Sequence, residues 1–464
     1  MKHVHIIGIC GTAMAGIAAL AQDSGWRVTG SDSGIYPPMS TFLQERNLLL
    51  SEGFDVANLE PAPDLVVVGN TISRGNVELE AVLNRGLSYC SGAGWIHDHL
   101  LAGRHPVVVT GTHGKTTTSS MISWLWENAG WQPGFLIGGI PANFGQGVRF
   151  PGDQWVVMEG DEYDTAFFDK RPKFLHYRPQ TLIIHNLEYD HADIYPDLES
   201  IRIQFRLLLR TVPGNGLILA NGDEAEVEGI VGSSEWTPIV RYGLKGDYPF
   251  TAKMQGTDGR TWDLIREGET LFTVHWDFLG EHNVINGLAA AAAALSRGMR
   301  PEVVKAGLET FKGVARRLQV RYKEDGVTIY DDFAHHPTAI ATTLKGVRAA
   351  VGKERIWAVM EPRSNTMRRR IHQTRLDQVL EPADFVVIAR PAAKGLSNDE
   401  MLDVQRIADD INAKQPGKAV VVENGIEACH HMQDQLVSGD HVVVMSNGGF
   451  DGIHKRLADA LAAR

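Results

Sequence analysis

The run Val107-Val108-Val109-Thr110-Gly111-Thr112-His113-Gly114-Lys115-Thr116-Thr117-Thr118 constrains this chain more than any other stretch. Its apolar, β-branched opening reads as a buried strand, and the glycines after it read as a tight turn. Lysine and hydroxyl residues then open a helix that continues through Ser119-Ser120-Met121-Ile122-Ser123-Trp124-Leu125. In such a strand-turn-helix unit, free backbone N–H groups and the positive end of the helix face outward, which suits a polyphosphate. The spacing departs from the common phosphate-loop form, because Val109 stands where its first glycine would be. The shorter turn makes Gly111, Thr112, His113, Gly114, Lys115, Thr116 and Thr117 the expected ATP contacts. Lys115 can reach the terminal phosphates, and Thr116 can offer its hydroxyl to Mg²⁺. A glycine turn beside a merely solvated lysine is the bland alternative. The lysine-threonine pair directly after an apolar strand argues against it.

A chain of 464 residues is long enough for roughly three domains. Three segments each open with a strand that runs into a glycine-rich or polar turn, at Val4, at Pro106 and near Arg321. Later apolar runs, such as Asp64-Leu65-Val66-Val67-Val68, Thr181-Leu182-Ile183-Ile184 and His441-Val442-Val443-Val444, alternate with helical patterns. Parallel sheets buried on both faces produce this pattern. The expected fold is therefore α/β in three domains: Rossmann-like over 1–105, ATPase-like over 106–317 and Rossmann-like over 318–464. Between Trp236 and Phe278 the pattern turns to short alternating stretches, read as an antiparallel appendage of the middle domain. The six alanines at 289–294 favour a closely packed helix.

Formal charge is −11, which disfavours nucleic acid or an anionic membrane as partner. The three cysteines, Cys10, Cys90 and Cys429, form no CxxC pair, so a disulfide framework and a thiolate metal site are both unsupported. The strand-like Val4-His5-Ile6-Ile7 follows Met1 almost at once, and no apolar run nears the length that spans a bilayer. A cytoplasmic enzyme acting on small molecules is expected.

Two further regions carry candidate chemistry. Gly8-Ile9-Cys10-Gly11-Thr12-Ala13-Met14-Ala15-Gly16 has a strand-turn-helix setting suited to a diphosphate, although Cys10 stands where the dinucleotide fingerprint has its second glycine. Ser31 and Asp32 end the next strand, where an acidic residue can meet a ribose or a base. An NAD-dependent oxidoreductase would use this domain too, but would not need the lysine loop downstream. Glu159-Gly160-Asp161-Glu162-Tyr163-Asp164 and Asn186-Leu187-Glu188-Tyr189-Asp190-His191 each follow a strand of the middle segment. Carboxylate oxygens suit Mg²⁺, and an imidazole can complete a looser second site.

The Gly111–Thr117 loop resembles the ATP loop of the Mur ligases, cytoplasmic enzymes that build the peptide of bacterial cell-wall precursors. Glu159 to Glu162 and Asp190 to Asp193 are similar to that family's Glu-Ala-Asp-Glu and Asp-His-x-Asp motifs. Gly280-Glu281-His282-Asn283-Val284-Ile285-Asn286 is similar to its Gly-x-His-Asn-x-x-Asn signature. The resemblance spans the chain and implies an ATP-dependent ligase that forms an amide through an acyl phosphate. It implies Lys115, Glu159 and His191 as catalytic residues, with Thr116, Glu159 and His191 as Mg²⁺ ligands and Asn143 as a further candidate. Asn283, Asn286, Arg317 and Asp332 would contact ATP. Gly8, Gly11, Thr12, Met14, Ser31, Asp32, Asn70, Ser73 and Asn76 would hold the UDP-sugar. Tyr36-Pro37-Pro38-Met39-Ser40, the stretch 159–173 and Glu361-Pro362-Arg363-Ser364-Asn365-Thr366-Met367 resemble one branch of the family. That branch returns the murein tripeptide L-Ala-γ-D-Glu-meso-diaminopimelate to UDP-N-acetylmuramate in cell-wall recycling, and the alternative is the alanine-adding branch. Arg363, helped by Lys170, Arg171, Lys173 and Arg368-Arg369-Arg370, is the expected counter-charge for the peptide's carboxylates.

Overall fold

The computed structural model describes residues 1–35, 39–232 and 236–463. Tyr36, Pro37 and Pro38 of the branch-specific stretch lie outside the described residues. Among the described residues three large sheets organise the chain, beside a two-stranded one formed by Asp164–Ala166 and Asp169–Pro172. The first reads, edge to edge, Leu49–Glu52, Arg27–Asp32, His3–Ile7, Leu65–Val68 and Tyr89–Ser91, all parallel. The chain leaves the central strand to opposite sides, so a crevice opens at the carboxyl end of His3–Ile7. The turn Gly8 to Gly11 and the start of the helix Thr12–Asp23 sit at that crevice.

The second sheet has ten strands, and His105–Thr110 lies within its parallel centre between Thr181–Ile184 and Trp155–Glu159. Its first strand thus begins one residue before the expected segment start. The stretch expected as an appendage instead extends this same sheet. Phe250–Met254 pairs in parallel with Ile239–Gly243, and Thr261–Arg266 and Glu269–His275 follow in antiparallel. Alternation identified these strands correctly, but an edge that accepts backbone pairing is invisible in side-chain pattern. The alanines at 289–294 are fully buried on the helix Glu281–Ser296, which packs against the phosphate-loop helix Lys115–Asn128.

The third sheet runs Gln319–Glu324, Val327–Asp332, Asp440–Met445, Arg355–Met360, Phe385–Ala389 and Ala419–Val422, with only its first pair antiparallel. A mixed α/β fold with parallel sheets is thus what the chain adopts. One apolar core runs from the first sheet into the second, joining Met14 and Ile17 to Val148, Phe174 and Phe205. Among the described residues no helix is long and apolar enough to cross a membrane.

Gly30 pairs with Ile6 across the first sheet, and a Cβ there would lie 2.5 Å from Ile9 Cδ1 and 2.8 Å from the Ile6 carbonyl oxygen. Gly30→Ala is expected to destabilise the protein by about 1–3 kcal/mol through overpacking. An unchanged urea midpoint in that variant would contradict this packing.

Candidate active site

The phosphate loop leaves its strand through Gly111 at φ 130° and enters its helix through Gly114 at φ 85°, both in the region that favours glycine. A Cβ on Gly114 would fall 2.6 Å from Asn286 Oδ1. Asn186 braces the loop from the neighbouring strand end, accepting from the His113 N–H at 2.8 Å. All the loop residues from Thr112 to Thr117 line a cleft of about 1670 Å³.

Lys115 Nζ donates to Gly111 O at 2.6 Å and to Glu162 Oε2 at 2.8 Å. Burial disfavours its ammonium, but Glu162 and Asp161 outweigh that and raise its pKa. Thr116 Oγ1 donates to Glu159 Oε1 at 2.8 Å and accepts from Arg317 Nη2 at 3.0 Å. Glu159 also accepts from the Gly138 N–H at 2.8 Å. His191 holds φ 55°, and its Nε2 lies 3.8 Å from Glu162 Oε2. The ligand atoms of His191, Glu162 and Asp161 all fall within 4.8 Å of one another. The expected donors therefore form two groups, Thr116 with Glu159 and His191 with Asp161 and Glu162. Glu162 Oε1 is buried without a hydrogen-bond partner, and hard oxygen donors with one imidazole fit Mg²⁺.

The third sheet's loops close one side of the cleft. Glu188 lies 3.4 Å from His113 Nε2 and 3.9 Å from His336 Nδ1, and accepts from Thr338 Oγ1 at 2.7 Å. Burial opposes ionisation of Glu188, but His113 and His336 outweigh it and hold the carboxyl at about 2. Asn365 Nδ2 donates to Asp193 Oδ2 at 2.8 Å, and Thr366 Oγ1 accepts from the Ala192 N–H at 3.3 Å. The Arg363 loop thereby docks on the His191 loop. Arg363 lines the cleft, half-exposed, 3.8 Å from Glu361.

Several of the expected residues also have partners within the fold. Asp332 lines the cleft and accepts from the Leu318 and Ala334 N–H groups, one on each carboxylate oxygen, which leaves a further lone pair on Oδ2. Asn143 bridges Thr310 and Lys312, donating to the first and accepting from the second. Asn283 donates to Leu279 O, while Gly280 occupies the helix cap. In the first domain, Ser31 is buried and donates to Glu78, Met14 is a core side chain, and Asn76 caps the helix Val77–Arg85. Asp32 accepts from the Cys10 and Gly34 N–H groups and shapes the turn. Gly8 has φ 82°, Gly11 caps the helix start, Thr12 lines the large cleft, and Asn70 and Ser73 lie in the turn after Leu65–Val68. Lys170, Arg171 and Lys173 pair with Asp164, Asp169 and Asp161. Arg368 is buried against Asn365 and Ala392, and Arg370 bonds Met401 O. These side chains brace loops, leaving Arg363 as the expected cation that faces the cleft.

Three family descriptions match the chain: Mur ligase family, catalytic domain, at 3–104; Mur ligase middle domain, at 109–294; and Mur ligase, glutamate ligase domain, at 316–448. The chain is 44% identical over 472 residues to UDP-N-acetylmuramate–L-alanyl-gamma-D-glutamyl-meso-2,6-diaminoheptandioate ligase of Escherichia coli (strain K12), covering 99% of this chain and 98% of that one. It belongs to the Mur ligase family. A crystal structure of a murein peptide ligase from Psychrobacter arcticus superposes with TM-score 0.74 at 39% identity, covering 100% of this chain and 99% of that one. A UDP-N-acetylmuramate–L-alanine ligase of Mesorhizobium japonicum is 31% identical over 470 residues, 99% of this chain and 98% of the relative.

Glu162, Glu188, His336 and Thr366 were not among the expected site residues. Glu162 and Glu188 sit inside the acidic runs read from sequence, but which carboxylate turns inward depends on neighbours far along the chain. Gly114→Ala combines a left-handed backbone with a collision against Asn286. It is expected to weaken ATP binding by about tenfold or more, from strain of about 1–2 kcal/mol plus the displaced loop. Calorimetric ATP titration beside circular dichroism checks this, and wild-type affinity in a folded variant would count against the loop geometry.

Proposed function

We infer that this protein is an ATP-dependent ligase that joins L-Ala-γ-D-Glu-meso-diaminopimelate to UDP-N-acetylmuramate. The match to the Escherichia coli enzyme carries the reading, at 44% identity across nearly the whole of both chains. The geometry agrees with it. One cleft is lined by Thr12 from the first domain, the phosphate loop from the second and Arg363 from the third. Three substrates brought from three domains, divided near 105 and 317, is the organisation such a reaction needs.

Amide formation from a carboxylate and an amine is uphill in water unless the leaving oxygen is activated. ATP phosphorylates the lactyl carboxylate, giving ADP and an acyl phosphate. The peptide's free amine attacks the acyl carbon, the amine loses a proton, and phosphate leaves. Lys115, Arg317 and the helix-start amides of Lys115–Asn128 balance charge on the transferring phosphoryl group. Thr116, Glu159 and His191 with its carboxylate neighbours would hold Mg²⁺, which would supply further positive charge to the phosphoryl transfer. The turn at Gly8 to Thr12 takes the diphosphate of the sugar nucleotide on its backbone amides, with Asn70 and Ser73 beside it. His113, Asn283 and Asn286 shape the ATP end of the cleft. ATP and a nucleotide sugar as substrates fit a cytoplasmic reaction, and a net charge of −11 argues against nucleic acid or an anionic membrane as partner.

Lys115→Ala is expected to be less stable, because Glu162 loses its partner, and in the folded protein to lower ligation by about 10²–10³-fold, because the phosphoryl charge loses a fixed cation. Near-normal turnover at saturating ATP would refute the role of Lys115. For the acceptor, efficient ligation of the tripeptide and much weaker use of free L-alanine are expected. Arg363→Ala should raise the tripeptide KM by about tenfold or more, the value of a charge-assisted hydrogen bond to carboxylate. Equal turnover with L-alanine in a coupled ADP assay would transfer the assignment to the alanine-adding branch.

A further inference from the structure

Arg316 and Arg317 are neighbours in sequence, yet their guanidiniums reach different partners. Arg317 lines the cleft and reaches Thr116, whereas Arg316 is not part of the cleft lining. Arg316 holds φ 62° and Leu318 φ 48°, so two left-handed residues bracket Arg317 and send the paired side chains to separate partners. Arg316 Nη2 donates to Ser446 O at 2.7 Å and to Gly448 O at 2.6 Å, and its Nε lies 3.4 Å from Asp331 Oδ1. Both guanidiniums lie over the Phe333 ring, at 5.2 Å for Arg316 and 4.9 Å for Arg317.

The turn that Arg316 grips leads directly to the acceptor loop. Ser446 Oγ donates to Glu361 Oε2 and accepts from the Gly448 N–H at 2.8 Å. Arg363 lies across Gly448 so closely that a Cβ there would collide with its Cδ, Nε and Nη1. A continuous set of contacts therefore runs from Thr116 through Arg317, Phe333 and Arg316 to the Ser446–Gly448 turn and Arg363. Two carbonyl oxygens and an aromatic face are partners that a planar, forked cation matches and a lysine ammonium does not.

We propose that Arg316 is a positioning residue for the acceptor peptide. It holds the Ser446–Gly448 turn, and through it Arg363, in register with the nucleotide loop, and touches neither ATP nor the reacting carboxylate. The proposal rests on the reading of the Arg363 loop as the acceptor site.

Arg316→Met keeps a stem of similar length and removes the charge and the donors. Its tripeptide KM should rise about tenfold or more, while KM for ATP and for UDP-N-acetylmuramate stays within about twofold, as two charge-assisted hydrogen bonds to one turn are lost. Arg316→Lys should recover part of the tripeptide KM, and it carries the test alone if Arg316→Met fails to fold. A wild-type tripeptide KM in either folded variant overturns the proposal, as does a parallel rise in all three KM values. A wild-type protein without tripeptide-dependent turnover would instead overturn the ligase reading beneath it.

Discussion

The hydroxyl of Thr116 is where three distant parts of the chain meet, because it gives its hydrogen to Glu159 and accepts from Arg317. A carboxylate and a guanidinium thus share one neutral group at the mouth of the phosphate loop. Away from bulk water such an arrangement is held firmly, since each charge is satisfied by the next group in line. Much of the surrounding geometry follows from it. The second oxygen of Glu159 fixes the Gly138 backbone, and the entry of Arg317 requires left-handed residues on both sides. Asp332 holds the chain just past them.

Lys115 poses the complementary problem. Its ammonium is almost wholly removed from solvent and stays charged through Glu162 and Asp161. Removing one partner of such a pair leaves an uncompensated buried charge, which is far more costly than never having had the pair. The acidic run after Trp155–Glu159 therefore stabilises the loop as well as offering oxygens to a metal.

What the sequence made legible is what depends on near neighbours. The phosphate loop, the parallel sheets and the alanine-rich helix could be read because strand periodicity, glycine turns and helix starts are local. The family comparison extended this to His191, Arg317 and Arg363, all of which line the cleft. What the sequence did not show is of one kind. Ser31, Asn76, Asp332 and Asn143, expected as ligand contacts from the resemblance, each also have a partner in the fold that no local pattern shows. Arg368 and Lys173 were read as open charge, and both are engaged by groups that only tertiary structure brings near. The extension of the second sheet beyond Ile239–Gly243 was missed because edge pairing is a backbone property.

The two junctions between domains differ in material. The first and second domains are joined by an unbroken apolar core through Met14, Ile17, Val148 and Phe174, and parting such surfaces would expose hydrocarbon to water at every point. The third domain meets the second through polar contacts, among them the hydrogen bonds of Thr338, Asn365, Thr366 and Arg316 and the approach of His336 to Glu188, with Leu279 as an apolar contact. Water can take the place of each of those bonds at little net cost. The two junctions thus answer to different solvents: the fused block that carries the nucleotide loop is held by hydrocarbon kept from water, and the third domain is held to it by polar bonds for which water competes.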